Sequence, residues 1–190
     1  MLDKYLIRHS APTLAGLKTA NLFWYSREKG EELEEVLAPW KEIFREKGLG
    51  LRVMKVNGNR ALLYLFRMEK LRRELEREKT RAILKTQGYN YETSDEAIEI
   101  LKSRMGDNGS FPHEVGLFLG YPEEDVRGFM INQGKNCKCC GCWKVYCDEC
   151  SARKTFCRYK KCEEVYQRLF LAGKPGRQLI VAAGHRKYFK

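Results

Sequence analysis

Leu51-Arg-Val-Met-Lys-Val-Asn-Gly-Asn-Arg-Ala-Leu-Leu-Tyr-Leu-Phe66 is the stretch that decides the fold. Two β-prone runs, Leu51 to Val56 and Arg60 to Phe66, flank Asn57-Gly58, a dipeptide that accepts the positive φ angles of a tight hairpin turn. The second run is apolar at every position from Ala61 to Phe66. A strand with one wet face alternates, so this one is expected at the centre of a sheet covered on both sides.

Helical spacing brackets the hairpin. Leu33, Val36, Leu37, Trp40, Ile43 and Phe44 mark a helix between about residues 28 and 47, which Pro39 threatens to split. Residues 68 to 86 read as one helix with Met68, Leu71, Leu75 and Ala82 inward, ended by Gly88. Thr93 and Glu96 have capping-box spacing ahead of the apolar stripe Ala97, Ile98, Leu101 and Met105. Pro112 and Pro122 suit helix starts, and Glu123, Glu124 and Asp125 suit the positive end of the second. Trp143 to Cys147 reads as a strand, residues 148 to 171 as a long last helix, and Gln178 to Ala183 as an edge strand. The expected class is α+β: a small antiparallel sheet of three to four strands packed by several helices, in a single domain over 1–190.

The chain has a hydrophobic fraction of 43% and a charged fraction of 32%, enough for a core beneath a polar surface. The first residues lack the apolar stretch of a secretory signal, and no apolar run is long enough to span a bilayer. A cytoplasmic location with no membrane partner is expected. In that reducing setting the eight cysteines are not a disulfide framework but metal ligands, reactive thiols or small buried side chains.

All eight fall in the basic C-terminal segment 137–172, within the last third of the chain, where most of the net charge of +11 lies. Residues 135 to 190 carry 14 Lys and Arg against 4 Asp and Glu. Such a surface attracts an anionic ligand, a redox partner or nucleic acid, and favours thiolates in its midst. The order Cys137-x-Cys139-Cys140-x-Cys142, then Cys147-x-x-Cys150, draws three Cys-x-x-Cys pairs (137/140, 139/142 and 147/150). Cys137, Cys139, Cys140, Cys142, Cys147 and Cys150 are therefore candidate ligands for zinc or iron. Cys150, Cys157 and Cys162 are candidate reactive thiols. On helical geometry Cys162 lies on the apolar stripe of Ala152, Phe156, Tyr159, Tyr166 and Phe170, whereas Cys150 and Cys157 lie on the face of Arg153, Lys154 and Lys161.

Four stretches carry a likeness: His9-Ser-Ala-Pro-Thr-Leu-Ala-Gly-Leu-Lys18 running on to Asn21-Leu-Phe23; Pro112-His-Glu-Val-Gly-Leu-Phe-Leu-Gly-Tyr-Pro122 with Asp125 and Gly128; Cys140-Gly-Cys-Trp-Lys-Val-Tyr146; and Tyr159-Lys-Lys-Cys162. In order and spacing the chain resembles the bacterial domain of unknown function 3793 family, an uncharacterised group. The resemblance implies no reaction. It marks His9, Pro12, Thr13, Lys18, His113, Glu114, Tyr121, Cys140, Lys144, Tyr146 and Cys162 as positions of the shared pattern. Relatives often carry Cys where this chain has Ser10 and an aromatic where it has Cys142, and Cys147, Cys150 and Cys157 are additions.

His9, His113 and Glu114 are the candidate catalytic groups, as proton-transfer residues; Thr13, Lys18, Lys144 and Tyr146 are the candidate ligand contacts. His113-Glu114 is not a zinc-protease helix, because Gly116 and Leu117 occupy the decisive positions, and it has a plainer reading as a first-turn capping pair. Three functions follow: a metal-binding or redox protein built on its thiols, a small-ligand receptor or enzyme using His9, Lys18, His113 and Glu114, and a nucleic-acid module using the basic C-terminal third.

Overall fold

The computed structural model describes residues 2–105 and 111–183. Arg186, Lys187 and Lys190, part of the basic excess, lie outside the described residues. The fold is α+β, and the chain divides into two compact units: residues 1–68 with 161–190, and residues 69–160.

The first unit is built on the hairpin. Strands β1 (Ala20–Ser26), β2 (Leu49–Asn57) and β3 (Arg60–Arg67) form an antiparallel sheet in the order β1-β3-β2. β3 is central, and all its residues but Arg60 are buried, as its unbroken apolar run requires. The turn sits one residue later than the dipeptide suggested: Asn57 and Arg60 are the last pair, and Gly58 takes the positive φ of 56°. Alternate residues of β3, Ala61, Leu63 and Leu65, join Phe23 and Tyr25 of β1 in the core with helix α1 (Leu2–Leu14) and helix α2 (Leu33–Glu46). Losing a side chain such as Leu63 from that core costs about 2–5 kcal/mol.

α1 and β1 carried no assignment from sequence. α1 is short and holds Pro12 in its last turn, and the aromatic run Phe23-Trp24-Tyr25 was the strand signal available in β1. Pro39 does not split α2, which runs unbroken with the carbonyl it strands on Glu35 at an exposed turn. The end of α1 is fixed by Arg67. Its buried guanidinium donates to the carbonyls of Thr13 (2.8 Å) and Val181 (2.6 Å), and to that of Leu14. Burial lowers Arg67 to about 10, so it stays charged at neutral pH. Gln178 to Ala183 is not an edge strand: Gly176–Leu179 closes a single 3-10 turn, and the following amides of Val181 and Ala183 bond singly to the carbonyls of Leu14 and Lys47.

The second unit is helical. The stretch expected as one helix is two, α3 (Met68–Glu76) and α4 (Glu78–Thr86), because Arg77 is extended at φ −61° and ψ 134°. That break resets the helical phase. α4 therefore buries Thr80 and Leu84, while Ala82 is exposed and Met68 is 41% exposed. α5 (Ser94–Arg104) starts on the expected capping box of Thr93 and Glu96. α6 (Val115–Phe118) and α7 (Glu123–Asn132) follow, with Glu123, Glu124 and Asp125 in α7's first turn. The strand expected over Trp143 to Cys147 contracts to β5 (Lys144–Val145), which pairs with β4 (Cys139–Cys140) in a small antiparallel hairpin. α8 (Glu149–Leu171) runs from this unit into the first and starts on Asp148, whose carboxylate accepts from the Ser151 amide at 3.0 Å. No helix among the described residues is long and apolar enough to cross a membrane.

Ser10 is a flaw in the core. It is fully buried in α1, and its hydroxyl has no hydrogen-bond partner. A buried unsatisfied polar group costs about 1–3 kcal/mol, and alanine is the better helix former. Ser10→Ala should therefore raise stability by about 1 kcal/mol in urea denaturation; a lower midpoint would show that the hydroxyl has a partner in solution.

Candidate functional site

A cavity of about 270 Å³ opens in the second unit. Its wall is mainly aromatic, from Phe111, Tyr121, Phe129 and Trp143, with Val115 and Val126 between them. The polar groups converging on it are His113, Asp125, Cys140 and Lys144.

The site is assembled around Asp125. Placed by its sequence in the acidic first turn of α7, it is 3% exposed and works as a buried acceptor. One oxygen accepts from the amides of Tyr146 (2.7 Å) and Cys147 (2.9 Å), and the other from the Trp143 indole N–H (2.7 Å). Three donors supply most of what an ionised carboxylate loses on leaving water, each worth about 1.5–3 kcal/mol. Asp125 thereby ties the β4–β5 hairpin to α7. Two close approaches complete the joint: Gly128 lies under the Tyr146 ring and Gly141 against Phe156, where an added Cβ would come within 2.5 Å and 2.3 Å of ring carbons. Trp143 is held between Tyr121, stacked at 5.0 Å and 28°, and Phe156, edge-on at 4.6 Å.

Lys144 leaves β5 toward the cavity, and its ammonium donates to the Gly134 carbonyl at 2.7 Å. No carboxylate lies within 4 Å of it among the described residues. His113 is exposed and meets Phe129 edge-on at 5.0 Å. Tyr146 does not line the cavity; its hydroxyl is buried without a partner. Glu114, expected as a catalytic carboxylate beside His113, is occupied elsewhere. It is 2% exposed and accepts from Arg104 Nε at 2.6 Å and from the Tyr89 hydroxyl at 3.1 Å.

The remaining candidates lie in the first unit. His9 stacks on Phe23 at 5.7 Å and is lowered by burial and by Arg8, which favours the neutral ring. The Asn21 side chain donates to the His9 carbonyl and accepts from the Thr13 hydroxyl at 2.9 Å. His9 and Thr13 therefore clasp α1 to β1, which gives them a structural task. Lys18 is buried at 7% exposure, and its charge partly offsets the burial that raises the pKa of Glu163.

The thiols separate by environment. Cys150 and Cys157 are exposed and Cys162 is buried, as the helical stripe placed them. Burial pushes Cys162 up to about 11, which opposes a reactive role for it at neutral pH. Cys139 is also raised, by burial and then by Glu149, so the basic segment does not activate it. Among the described residues no three His, Cys, Asp or Glu side chains gather closely enough to hold a metal ion. Cavity residues that were not site candidates from sequence include Phe111, Asp125, Val126 and Phe129. Of these only Asp125 had a signal, as part of the quoted Pro112–Gly128 pattern, and nothing there stated its task.

The structure thus defines an α+β protein whose thiol hairpin walls an aromatic pocket. The chain belongs to the family described as protein of unknown function DUF3793, whose model matches residues 6–180. Comparisons with curated proteins and with solved structures gave no match.

Two outcomes test this geometry. Asp125→Asn puts an amide N–H against donors and should cost about 2–3 kcal/mol, with loss of the Trp143 environment in near-ultraviolet circular dichroism; a wild-type spectrum and melting temperature would refute the keystone role. Cys162 should react with iodoacetamide at pH 8 roughly a hundredfold more slowly in the folded protein than in the unfolded chain. Its thiol is protonated in the fold and more acidic when unfolded. Its stabilising contribution is therefore complete below pH 9.0 and lost as the pH rises through about 11, a fall that Cys162→Ala should flatten.

Proposed function

We propose that the second unit binds a small organic anion with an apolar, ring-sized body in the cavity beside Lys144. The observation that carries this reading is an ammonium set in an aromatic wall with a backbone carbonyl as its acceptor and no carboxylate within 4 Å among the described residues. Asp125 does not supply the missing anion, because its oxygens are taken by three N–H donors. The cavity volume, about 270 Å³, is at the small end for ligand sites, which run to about 300–1,000 Å³, and suits a substituted ring or an amino-acid-sized group. Four positions of the pattern noted in the sequence, His113, Tyr121, Cys140 and Lys144, meet on this wall.

Zinc or iron on the six hairpin cysteines has the Cys-x-x-Cys spacing in its favour, but the donors are not drawn to one centre, so the pocket takes precedence. The nucleic-acid reading rests on exposed charges such as Lys154, Arg158, Lys160 and Lys161 along α8, whose tyrosines Tyr159 and Tyr166 are buried rather than offered for stacking. With this reading goes a cytoplasmic location, the reducing setting in which eight thiols outside disulfides persist.

The test uses 1-naphthoate and its neutral counterpart 1-naphthalenemethanol, followed by tryptophan fluorescence and melting temperature. Naphthoate should bind saturably and raise the melting temperature, and Lys144→Met should weaken it about tenfold, with Lys144→Arg close to wild type. Equal binding of acid and alcohol, or equal binding to wild type and Lys144→Met, would remove the anion site.

A further inference from the structure

We infer that Cys140 is the attacking thiol of a thiol–disulfide exchange site selective for small anionic disulfides, an inference that rests on the pocket reading above and gives that pocket a reaction. Of the eight cysteines, Cys140 is the one on the cavity wall. Its Cα is paired across the hairpin with that of Lys144. Directly opposed residues of an antiparallel pair project to the same face, with Cβ atoms about 4.5–5.5 Å apart. The Cys140 and Lys144 side chains therefore start side by side on one face of the hairpin, both line the cavity, and the ammonium has no carboxylate within 4 Å among the described residues.

Exchange needs an accessible sulfur and room for both halves of the substrate. Cys140 is exposed, so a disulfide can approach from solvent. The cavity is large enough for one half alone, with its apolar body among the aromatic rings and its anionic group at Lys144. The other half stays in solvent and is free to leave. The remaining thiols lack this combination. Cys162 is buried, Cys137 and Cys139 are half-buried and off the cavity wall, with Cys139 raised by burial and then by Glu149, and Cys142, Cys147, Cys150 and Cys157 are exposed but off the cavity wall.

The step balances within its two reactants. Cys140 Sγ, having given its proton to solvent, attacks the sulfur of the bound half. The substrate S–S bond breaks, one S–S bond forms between Cys140 and that half, and the solvent-side half departs as a thiolate. The protein sulfur is oxidised, the departing sulfur is reduced, and the disulfide itself is the oxidant.

The experiment gives the protein a substoichiometric amount of 5,5′-dithiobis(2-nitrobenzoate), a dianionic aromatic disulfide, and maps the labelled cysteine by mass spectrometry without reduction. Neutral 4,4′-dithiodipyridine runs in parallel. Cys140 should take the first equivalent of the dianion, and 1-naphthoate should protect Cys140 while leaving Cys150 as reactive as before. Lys144→Met should slow Cys140 about tenfold toward the dianion and no more than about twofold toward the neutral reagent, and Lys144→Arg should restore the difference. A change in the thiol itself would slow both reagents alike, and that result overturns the inference. First labelling at any of the other seven cysteines also overturns it. If naphthoate binds while Cys140 is not preferred, the pocket stands and the exchange reaction falls. If naphthoate does not bind wild-type protein of unchanged melting temperature, the pocket falls and this inference falls with it.

Discussion

The hydrogen bonds of the Asp125 carboxylate are the constraint on which the second unit depends. A hairpin with two paired residues on each strand, Cys139–Cys140 against Lys144–Val145, has too few ladder bonds to hold itself. Asp125 gives it an external anchor at the amides of Tyr146 and Cys147 and at the Trp143 indole. The charge is buried, and without those donors it would be expelled or neutralised. With them, the position of Trp143 and Lys144 follows from α7, and so does the shape of the cavity.

The first unit solves a similar problem with the opposite charge. The last turn of α1 leaves carbonyls without helical partners, and Arg67 at the end of β3 reaches two of them, those of Thr13 and Leu14, and the Val181 carbonyl. The planar guanidinium suits this better than an ammonium would, because it offers several donors in a fixed fork. Asn21 then joins the Thr13 hydroxyl to the His9 carbonyl. The His9-to-Lys18 and Asn21-to-Phe23 stretches that carried the family likeness are thus two sides of one clasp. Ser10, buried in the same helix, has an unpartnered hydroxyl, a site that a thiol or a methyl group would tolerate better.

What could be read from the sequence was local and periodic. The unbroken run Ala61 to Phe66 placed β3 at the sheet centre, Thr93 and Glu96 placed a helix start, and the stripe of the last helix placed Cys162 inside and Cys150 and Cys157 outside. The failures share a cause: the deciding partner is far along the chain. Nothing in Glu74 to Thr80 marks Arg77 as extended, since no glycine or proline stands there. Glu114 reads as a neighbour of His113 until Arg104 and Tyr89 claim it. Asp125 reads as a helix-dipole residue, which it also is, until the hairpin 18 to 22 residues later arrives with three N–H groups.

The same lesson applies to charge. A surplus of positive residues around eight cysteines suggests a field that activates them all. Such a field is screened in water over about 10 Å, so exposed lysines do little for a thiol that is not beside them. Where local surroundings shift a thiol clearly, at Cys139 and Cys162, the shift is upward and comes first from burial. Selectivity among the rest must come from position. Cys140 differs from the four exposed thiols off the cavity in having, on its own face of the hairpin, an ammonium with no carboxylate within 4 Å among the described residues, and an apolar space beside it. On the proposed reading, the chemistry of this segment is set by which thiol Asp125 and the hairpin register bring to the cavity, not by how many thiols or how much charge it contains.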